Sequence, residues 1–201
     1  MIKDTHLKHA FSKMTHDQLS NYKFLSEFVF NSVGLSLTWR KLRIPDADKL
    51  TCWGGVRIRQ YPDEIAKLLV FLYEHKEQIN SYCEIGIAQG GSFFVIDSFL
   101  RAINPNMGRS FGIDNFRISK YAWIFNRYKE ANPQVEFLEI DSMNFNPTEN
   151  YDFCFIDADH SYLYCSRDVN AMKKHAKIIA LHDIKLVRSG VYTLWNEIKS
   201  E

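Results

Sequence analysis

The chain has no apolar run near the ~18 residues that a membrane-spanning helix needs, so no such helix is expected. Its start, Met1-Ile2-Lys3-Asp4-Thr5-His6, is polar and carries no signal-peptide core. The four cysteines, Cys52, Cys83, Cys154 and Cys165, form no Cys-x-x-Cys pair and no zinc-ligand spacing. Cys83 and Cys154 lie in apolar, strand-like runs where a thiol acts as a small hydrophobe. Reduced structural cysteines and a cytoplasmic location are the expectation. Charge of one sign is also missing: 25 Lys and Arg face 24 Asp and Glu, a net charge of +1. No global field therefore directs the protein to nucleic acid or to an anionic membrane. The local basic cluster of Arg40, Lys41, Arg43, Arg57 and Arg59 reads as a solvated face. Internal repeats and low-complexity segments are absent.

What is present fits one globular α/β domain. The 201 residues are 46% hydrophobic and 24% charged, enough for a full core. Residues 1–80 have the texture of helices and loops. An aromatic-rich helical stretch runs from Asn21 to Val33, and Arg40 to Gly55 is loop-like. A helix then starts at Pro62 and places Ile65, Leu68, Leu69 and Leu72 on one face. From residue 81 short apolar runs alternate with amphipathic stretches. Strands are expected at Ser81–Ile87, Ser110–Ile113, Val135–Ile140, Asp152–Ile156 and Lys177–His182. Helices are expected at Ser92–Ala102, Ser119–Ala131, Tyr162–His175 and Val191–Lys199. This alternation predicts a doubly wound parallel sheet, order 3-2-1-4-5, with helices on both faces.

The first strand runs directly into a glycine turn and a helix: Glu84-Ile85-Gly86-Ile87-Ala88-Gln89-Gly90-Gly91-Ser92. Glycine admits close approach of a ligand to the backbone, and the helix start offers free N–H groups to an anion. Ser92 is placed to cap that helix or to donate to the anion. The spacing Glu-x-Gly-x-x-x-Gly-Gly lacks the second glycine that a dinucleotide pyrophosphate requires. An acid at the strand tip suits an ammonium group instead, so the ligand carries an amino-acid end. The second strand ends in Asp114-Asn115, where a carboxylate can accept both hydroxyls of a ribose. The third ends in Asp141-Ser142, at the edge where an adenine would lie. Single acids are common in turns; three at successive strand ends beside a glycine turn are not.

The stretch from Glu84 to Asp183 resembles the class I S-adenosylmethionine-dependent methyltransferases, with about the last 120 residues covered. Glu84, Gly86, Gly90 and Gly91 match their first motif, Asp114 the ribose acid and Asp141-Ser142 the adenine-side loop. The run Ile156-Asp157-Ala158-Asp159-His160-Ser161-Tyr162 and the strand end Leu181-His182-Asp183 resemble the macrocin-type sugar O-methyltransferase and cephalosporin-hydroxylase-like group. That resemblance implies S-adenosylmethionine as cofactor and a divalent metal, magnesium or manganese. It implies Asp157 and Asp183 as metal ligands with His182 as a third, and His160 as general base. An alcohol is a poor nucleophile at neutral pH, and metal assistance with a positioned base answers that need.

The acceptor implied is a sugar hydroxyl on a small molecule or glycan, with a catechol-like or other small metabolite as the alternative. Trp39, Trp53, Tyr61 and Tyr162 are candidates for stacking on such a ring. Residues 1–80 would form a helical lid on the acceptor side, and 81–201 the donor-binding core. Homo-oligomerisation and fusion to other glycan-modifying domains stay open. The sequence departs from the group in two places. Lys174-His175-Ala176-Lys177 replaces the usual Gly-Gly before the fifth strand, and two further strands do not follow Lys199. A five-stranded variant and a piece of a longer chain both fit. Two rivals remain: an iron oxygenase built on Asp157, His160 and His182, and a binding domain without turnover. In the first case Asp157 and His160 carry chemistry; in a bland one they only cap the next helix.

Overall fold

In the computed structural model, the structure describes residues 5–33, 58–115 and 117–199. Arg40, Lys41, Arg43, Arg57, Trp39, Trp53, Cys52 and the loop-like stretch Arg40 to Gly55 lie outside the described residues. The chain divides into two compact units, Met1–Ile79 with Gln89–Met107, and Asn80–Ala88 with Gly108–Glu201.

The first unit is helical. It comprises α1 (Thr5–Ser12), α2 (His16–Leu19), α3 (Tyr22–Ser32), α4 (Pro62–Glu74) and α5 (Gly91–Ile103). Local chemistry sets the starts. Thr15 and Gln18 form a reciprocal capping box on α2, and the Asn21 side chain accepts from Lys23 and Phe24 N–H groups at the start of α3. Pro62 opens α4, with Asp63 and Glu64 in its first turn. Ile65, Ala66, Leu69 and Leu72 form the buried stripe of α4. Leu68, expected on that face, is half-buried, and Ala66 takes the place. Residues Gly91 to Arg101 of α5 are all buried. Asp97 and Arg101, one turn apart, satisfy each other there at 2.9 Å. Phe11 of α1 meets Phe99 of α5 edge-on, with ring centroids 5.1 Å apart. Among the described residues, no helix is long and apolar enough to cross a membrane.

The second unit holds the sheet. Its strands are β1 (Tyr82–Ile85), β2 (Ser110–Asp114), β3 (Val135–Glu139), β4 (Tyr151–Ile156) and β5 (Ala176–Leu181). They run parallel in the order β3-β2-β1-β4-β5. Each expected strand is present within two residues of its expected bounds. The helices of this unit are α6 (Arg117–Lys120), α7 (Ala122–Ala131), α8 (Tyr162–Met172) and α9 (Gly190–Ile198). Ser119–Ala131, expected as one helix, is broken at Tyr121 into two; the Glu139 carboxylate accepts the Ser119 N–H at 2.6 Å and also its hydroxyl, in the first turn of the shorter helix. The helix expected to reach His175 ends at Met172, where the His175 N–H turns back to the Met172 carbonyl.

One apolar cluster on the sheet joins Cys83, Ile85, Ile113, Cys154 and Ile156 to Val169 and Met172 of α8 and Leu194 of α9. The central strands β1 and β4 are buried at every residue, as strands covered on both faces must be. All five strands point their carboxyl ends the same way. Ligands in open α/β sheets bind beyond those ends, at the point where the strand order reverses. Here that point lies between β1 and β4.

Candidate active site at the carboxyl edge of the sheet

β1 leads into a turn whose backbone cannot tolerate a side chain. Gly86 has φ +95, and a Cβ there would lie 2.3 Å from the Asp157 carbonyl oxygen and 2.5 Å from Ala158 Cα. The loops after β1 and β4 therefore touch through the glycine. The N–H groups of Gly86 and Ile87 both donate to the Ile113 carbonyl, at 2.8 and 3.1 Å. Ala88 follows in the left-handed region, with φ 49, and its N–H donates to Asp114 Oδ2 at 2.8 Å. Asp114 thus closes the turn from the neighbouring strand end.

The other two acids of this edge are also tied down. Glu84 is wholly buried, and the Tyr82 hydroxyl on the same strand face donates to its carboxylate. Asp141 caps the short turn Ser142–Asn144 by accepting the Met143 N–H at 2.9 Å. Its second oxygen accepts from the Tyr164 hydroxyl at 3.3 Å. Ser142 is buried and Asn115 is exposed. Glu84, Gly86, Asp114, Asn115, Asp141 and Ser142 all belong to the sheet unit.

Gly90, Gly91 and Ser92 belong to the helical unit and form the start of α5. The capping position is Gly90, with φ +88, where a Cβ would overlap the Phe94 ring at 2.4 Å. Ser92 is accordingly not the cap. It is the second residue of the helix and is buried.

Beyond β4 and β5 four titratable side chains converge. His182 Nδ1 lies 3.0 Å from Asp157 Oδ1 and 3.5 Å from Asp183 Oδ2. His160 places Nε2 3.5 Å from Asp157 Oδ1 and Nδ1 3.3 Å from Asp183 Oδ2. His160 is the most open of the four, with 39% of its side chain exposed against 11% for Asp157. The hydrogen bond to Asp157, with the Asp157 and Asp183 charges, holds the His160 imidazole above its ordinary pKa, and burial and His182 oppose the rise.

Two features fix this geometry. Asp183 adopts φ 57, an uncommon conformation for a non-glycine residue and one that clusters at functional sites. The Gly190 N–H donates to the His160 carbonyl at 2.8 Å, and a Cβ at Gly190 would lie 1.9 Å from the Tyr162 nitrogen. Ser161 caps α8, so neither Asp157 nor His160 has that task.

The donor set suits a divalent cation. Asp157, His160 and His182 each present one ligand atom, all within 4.8 Å of one another, which is the span that ligands about 2.0–2.2 Å from a shared ion require. His160, which the resemblance implies as a base, enters this set, and the three residues are those on which the iron-oxygenase rival is built. Sequence reading also missed Tyr82, Tyr164, Asp168 and Gly190. Of these, Tyr82 carries a periodic signal, its i, i+2 spacing to Glu84 on one strand face, and Tyr164 and Asp168 share one helix face at i, i+4.

The family description "Methyltransferase domain" matches residues 83–184. No curated protein matches the chain significantly. Among solved structures, the O-methyltransferase NovP superposes with a TM-score of 0.61 at 13% identity, covering 98% of this chain and 91% of NovP. An O-methyltransferase from Bacillus cereus in complex with S-adenosylhomocysteine gives 0.52 at 16% identity, covering 94% and 89% of the two chains. The S-adenosylmethionine-bound amino pentose methyltransferase CalS10 from Micromonospora echinaspora gives 0.43 at 14% identity, covering 59% of this chain and 49% of that one. The family match covers half of the chain and spans the glycine turn, Asp114 and the β4–β5 cluster. The chain belongs to the methyltransferase-domain family, with the fold of the class I S-adenosylmethionine-dependent methyltransferases.

Proposed function

We propose that the protein is an S-adenosylmethionine-dependent O-methyltransferase that methylates a sugar hydroxyl with the help of a divalent cation, magnesium or manganese. One observation carries this reading. Asp157, His160, His182 and Asp183 converge at the strand edge beside the Gly86 turn, with approaches of 3.0–3.5 Å.

The donor lies along the carboxyl ends of β1, β2 and β3. Asp114 accepts the ribose hydroxyls, and its bond to Ala88 holds the turn at the height the ribose needs. Glu84, at the tip of β1, serves the ammonium group, and Asp141-Ser142 flanks the adenine. Gly90, Gly91 and Ser92 complete the motif in sequence. When bound, the donor supplies an electrophilic sulfonium methyl.

Asp157, Asp183 and His182 would hold the cation, which would supply Lewis acidity toward an acceptor hydroxyl. His182 brings an imidazole to an otherwise oxygen donor set, which suits manganese at least as well as magnesium. His160 would take the hydroxyl proton on a ring nitrogen as the C–O bond forms in line and the C–S bond breaks, S-adenosylhomocysteine leaving as a neutral thioether. Asp157 and Asp183 stabilise the imidazolium that results. Tyr162 is 45% exposed two residues beyond His160 and offers a ring face to a sugar. Oxygen as acceptor atom is also the chemistry named for NovP and the Bacillus cereus protein.

A second reading, iron-dependent oxygenation, draws on the same Asp157, His160 and His182 set. It leaves the Gly86 turn and the Asp114–Ala88 bond without a purpose, and the family match favours methyl transfer. Calorimetric titration of magnesium and manganese into chelator-treated protein tests the cation directly. One bound ion per chain is expected, with affinity lost in Asp157→Ala and Asp183→Ala. No binding, or equal affinity in both variants, would remove the cation from the account.

A further inference from the structure

The loop that follows β5 exposes apolar surface beside the four converging side chains, and methyl transfer alone does not call for it. It runs Asp183-Ile184-Lys185-Leu186-Val187-Arg188-Ser189-Gly190. Both of its ends belong to the cluster: Asp183 is a member, and the Gly190 N–H donates to the His160 carbonyl. Two successive turns fix the path between them. The Leu186 N–H donates to the Asp183 carbonyl at 3.0 Å, and the Ser189 N–H to the Leu186 carbonyl at 2.8 Å. A loop held in this way could present polar side chains to water. It presents Leu186 and Val187, 52% and 68% exposed, while Ile184 and Ser189 are half-buried.

The apolar surface continues onto α8. Gly190 packs on the Tyr162 nitrogen, which sets the end of the loop beside the first turn of that helix, where Leu163 is 65% exposed next to Tyr162. Clustered apolar exposure of this kind marks a binding surface rather than an ordinary exterior. Charge decides what binds there. Lys185 and Arg188 bracket the Leu186-Val187 pair and are exposed, and among the described residues neither side chain has an ion pair or hydrogen bond. The exposed acids nearby are occupied: Asp159 accepts the Ser161 N–H at 2.8 Å, and Glu197 the Tyr162 hydroxyl at 2.7 Å. Unpaired cations around an apolar pair match an anion joined to an apolar chain. A neutral apolar ligand would leave both cations unused, and a bare anion would leave the apolar pair in water.

We infer that the loop after β5 is an acceptor-binding lip, and that the acceptor is an amphiphile: a sugar linked through a phosphate to an apolar chain. The sugar lies at Tyr162 and His160, the phosphate meets Lys185 and Arg188, and the chain covers Leu163, Leu186 and Val187. The inference rests on the sugar reading above and adds what the sugar is attached to. None of the four loop residues Lys185, Leu186, Val187 and Arg188 belongs to the donor or cation sites.

The probe is geranyl phosphate, titrated calorimetrically into the full chain below its aggregation concentration, beside inorganic phosphate and geraniol. The same titrations use two double variants, Lys185→Gln with Arg188→Gln and Leu186→Ser with Val187→Ser. All four positions are exposed, so both variants should unfold at the temperature of the parent. The parent should bind one geranyl phosphate per chain, roughly tenfold or more tightly than either half-ligand. Each double variant should bind it roughly tenfold more weakly. Salt should weaken binding to the parent and have little effect on the glutamine variant. In methyl transfer from labelled donor, geranyl phosphate should compete with the sugar acceptor and not with the donor.

No binding of geranyl phosphate, binding untouched by either pair of substitutions, or a half-ligand bound as tightly would overturn the proposal. So would competition with the donor. Capture by phosphatidylglycerol vesicles without binding of the soluble probe would make the loop a membrane-docking surface and overturn it as well. Cation titration of the double variants should match the parent, which separates the two readings. A parent protein that binds no cation and methylates no sugar overturns the sugar reading, and this proposal with it. A loss confined to the probe overturns the lip alone.

Discussion

The two halves of the sheet edge are built on different principles. On the β1–β2–β3 side, each carboxylate is already engaged by the protein: Glu84 by the Tyr82 hydroxyl, Asp114 by the Ala88 N–H, Asp141 by Met143 and Tyr164. Their positions are set before any ligand arrives, which lowers the ordering cost of binding. On the β4–β5 side, Asp157, His160, His182 and Asp183 face one another instead. Two carboxylates and two imidazoles at such distances form an electrostatically adjustable centre, suited to holding charge and moving a proton. On the proposed reading, the first would be a fixed donor cradle and the second a reactive acceptor cluster. Gly86 is the point where they touch.

That contrast can be broken from either side. His160→Ala should have the largest effect, lowering turnover roughly 10²–10⁴-fold, the usual scale for loss of a general base. Donor affinity measured by calorimetry should stay as it was. Near-normal turnover would shift the burden to the cation or to simple proximity.

Gly86→Ala should damage both halves together. With φ +95 and the Asp157 carbonyl 2.3 Å from the new Cβ, a stability loss of at least about 2 kcal/mol is expected in chemical denaturation. A variant as stable as the parent would show that the two loops do not meet as described.

Asp168 supplies a pH-dependent contrast. Its folded pKa, about 6, lies above the ordinary 3.8, so the native state binds that proton more tightly than the unfolded chain. The resulting stability is fully present below about pH 3.8 and is lost as pH rises through 6. Relative to Asp168→Asn, the parent protein should therefore lose up to about 3 kcal/mol between pH 4 and pH 7. Parallel stability profiles for the two proteins would contradict the assignment.

The smallest expected effect belongs to the donor half. Asp114→Ala should cost roughly 1.5–3 kcal/mol of donor affinity, as for charge-assisted hydrogen bonds. Cation affinity should not change, and unchanged donor affinity would sink Asp114 as the ribose acid.

Much of this was legible before any coordinates. The strands lie close to where the sequence places them, because a buried parallel strand reads as a short apolar run bounded by polar turns. Gly86 and Asp114 stand out by their spacing at strand ends, and the Asp157–His160 run by its resemblance to a known signature. What stayed hidden depends on contacts across the chain. Nothing local shows that Glu139 captures Ser119 from the neighbouring strand, or that Gly190 packs on Tyr162. Asp168 reads as an ordinary polar residue of an amphipathic helix until its burial is seen. His160 could be placed as a base from sequence. Its distances to two carboxylates, which also put it within ligand reach, come only from folding β5 beside β4.

The most direct test of the account is methyl transfer from labelled S-adenosylmethionine onto a panel of deoxysugar glycosides, run with and without chelator. The account predicts labelled methyl on a sugar oxygen, near-complete loss of turnover in chelator, and recovery with manganese or magnesium. Full turnover in chelator would contradict the cation's role. Transfer to a catechol-type hydroxyl, with every sugar refused, would contradict the acceptor.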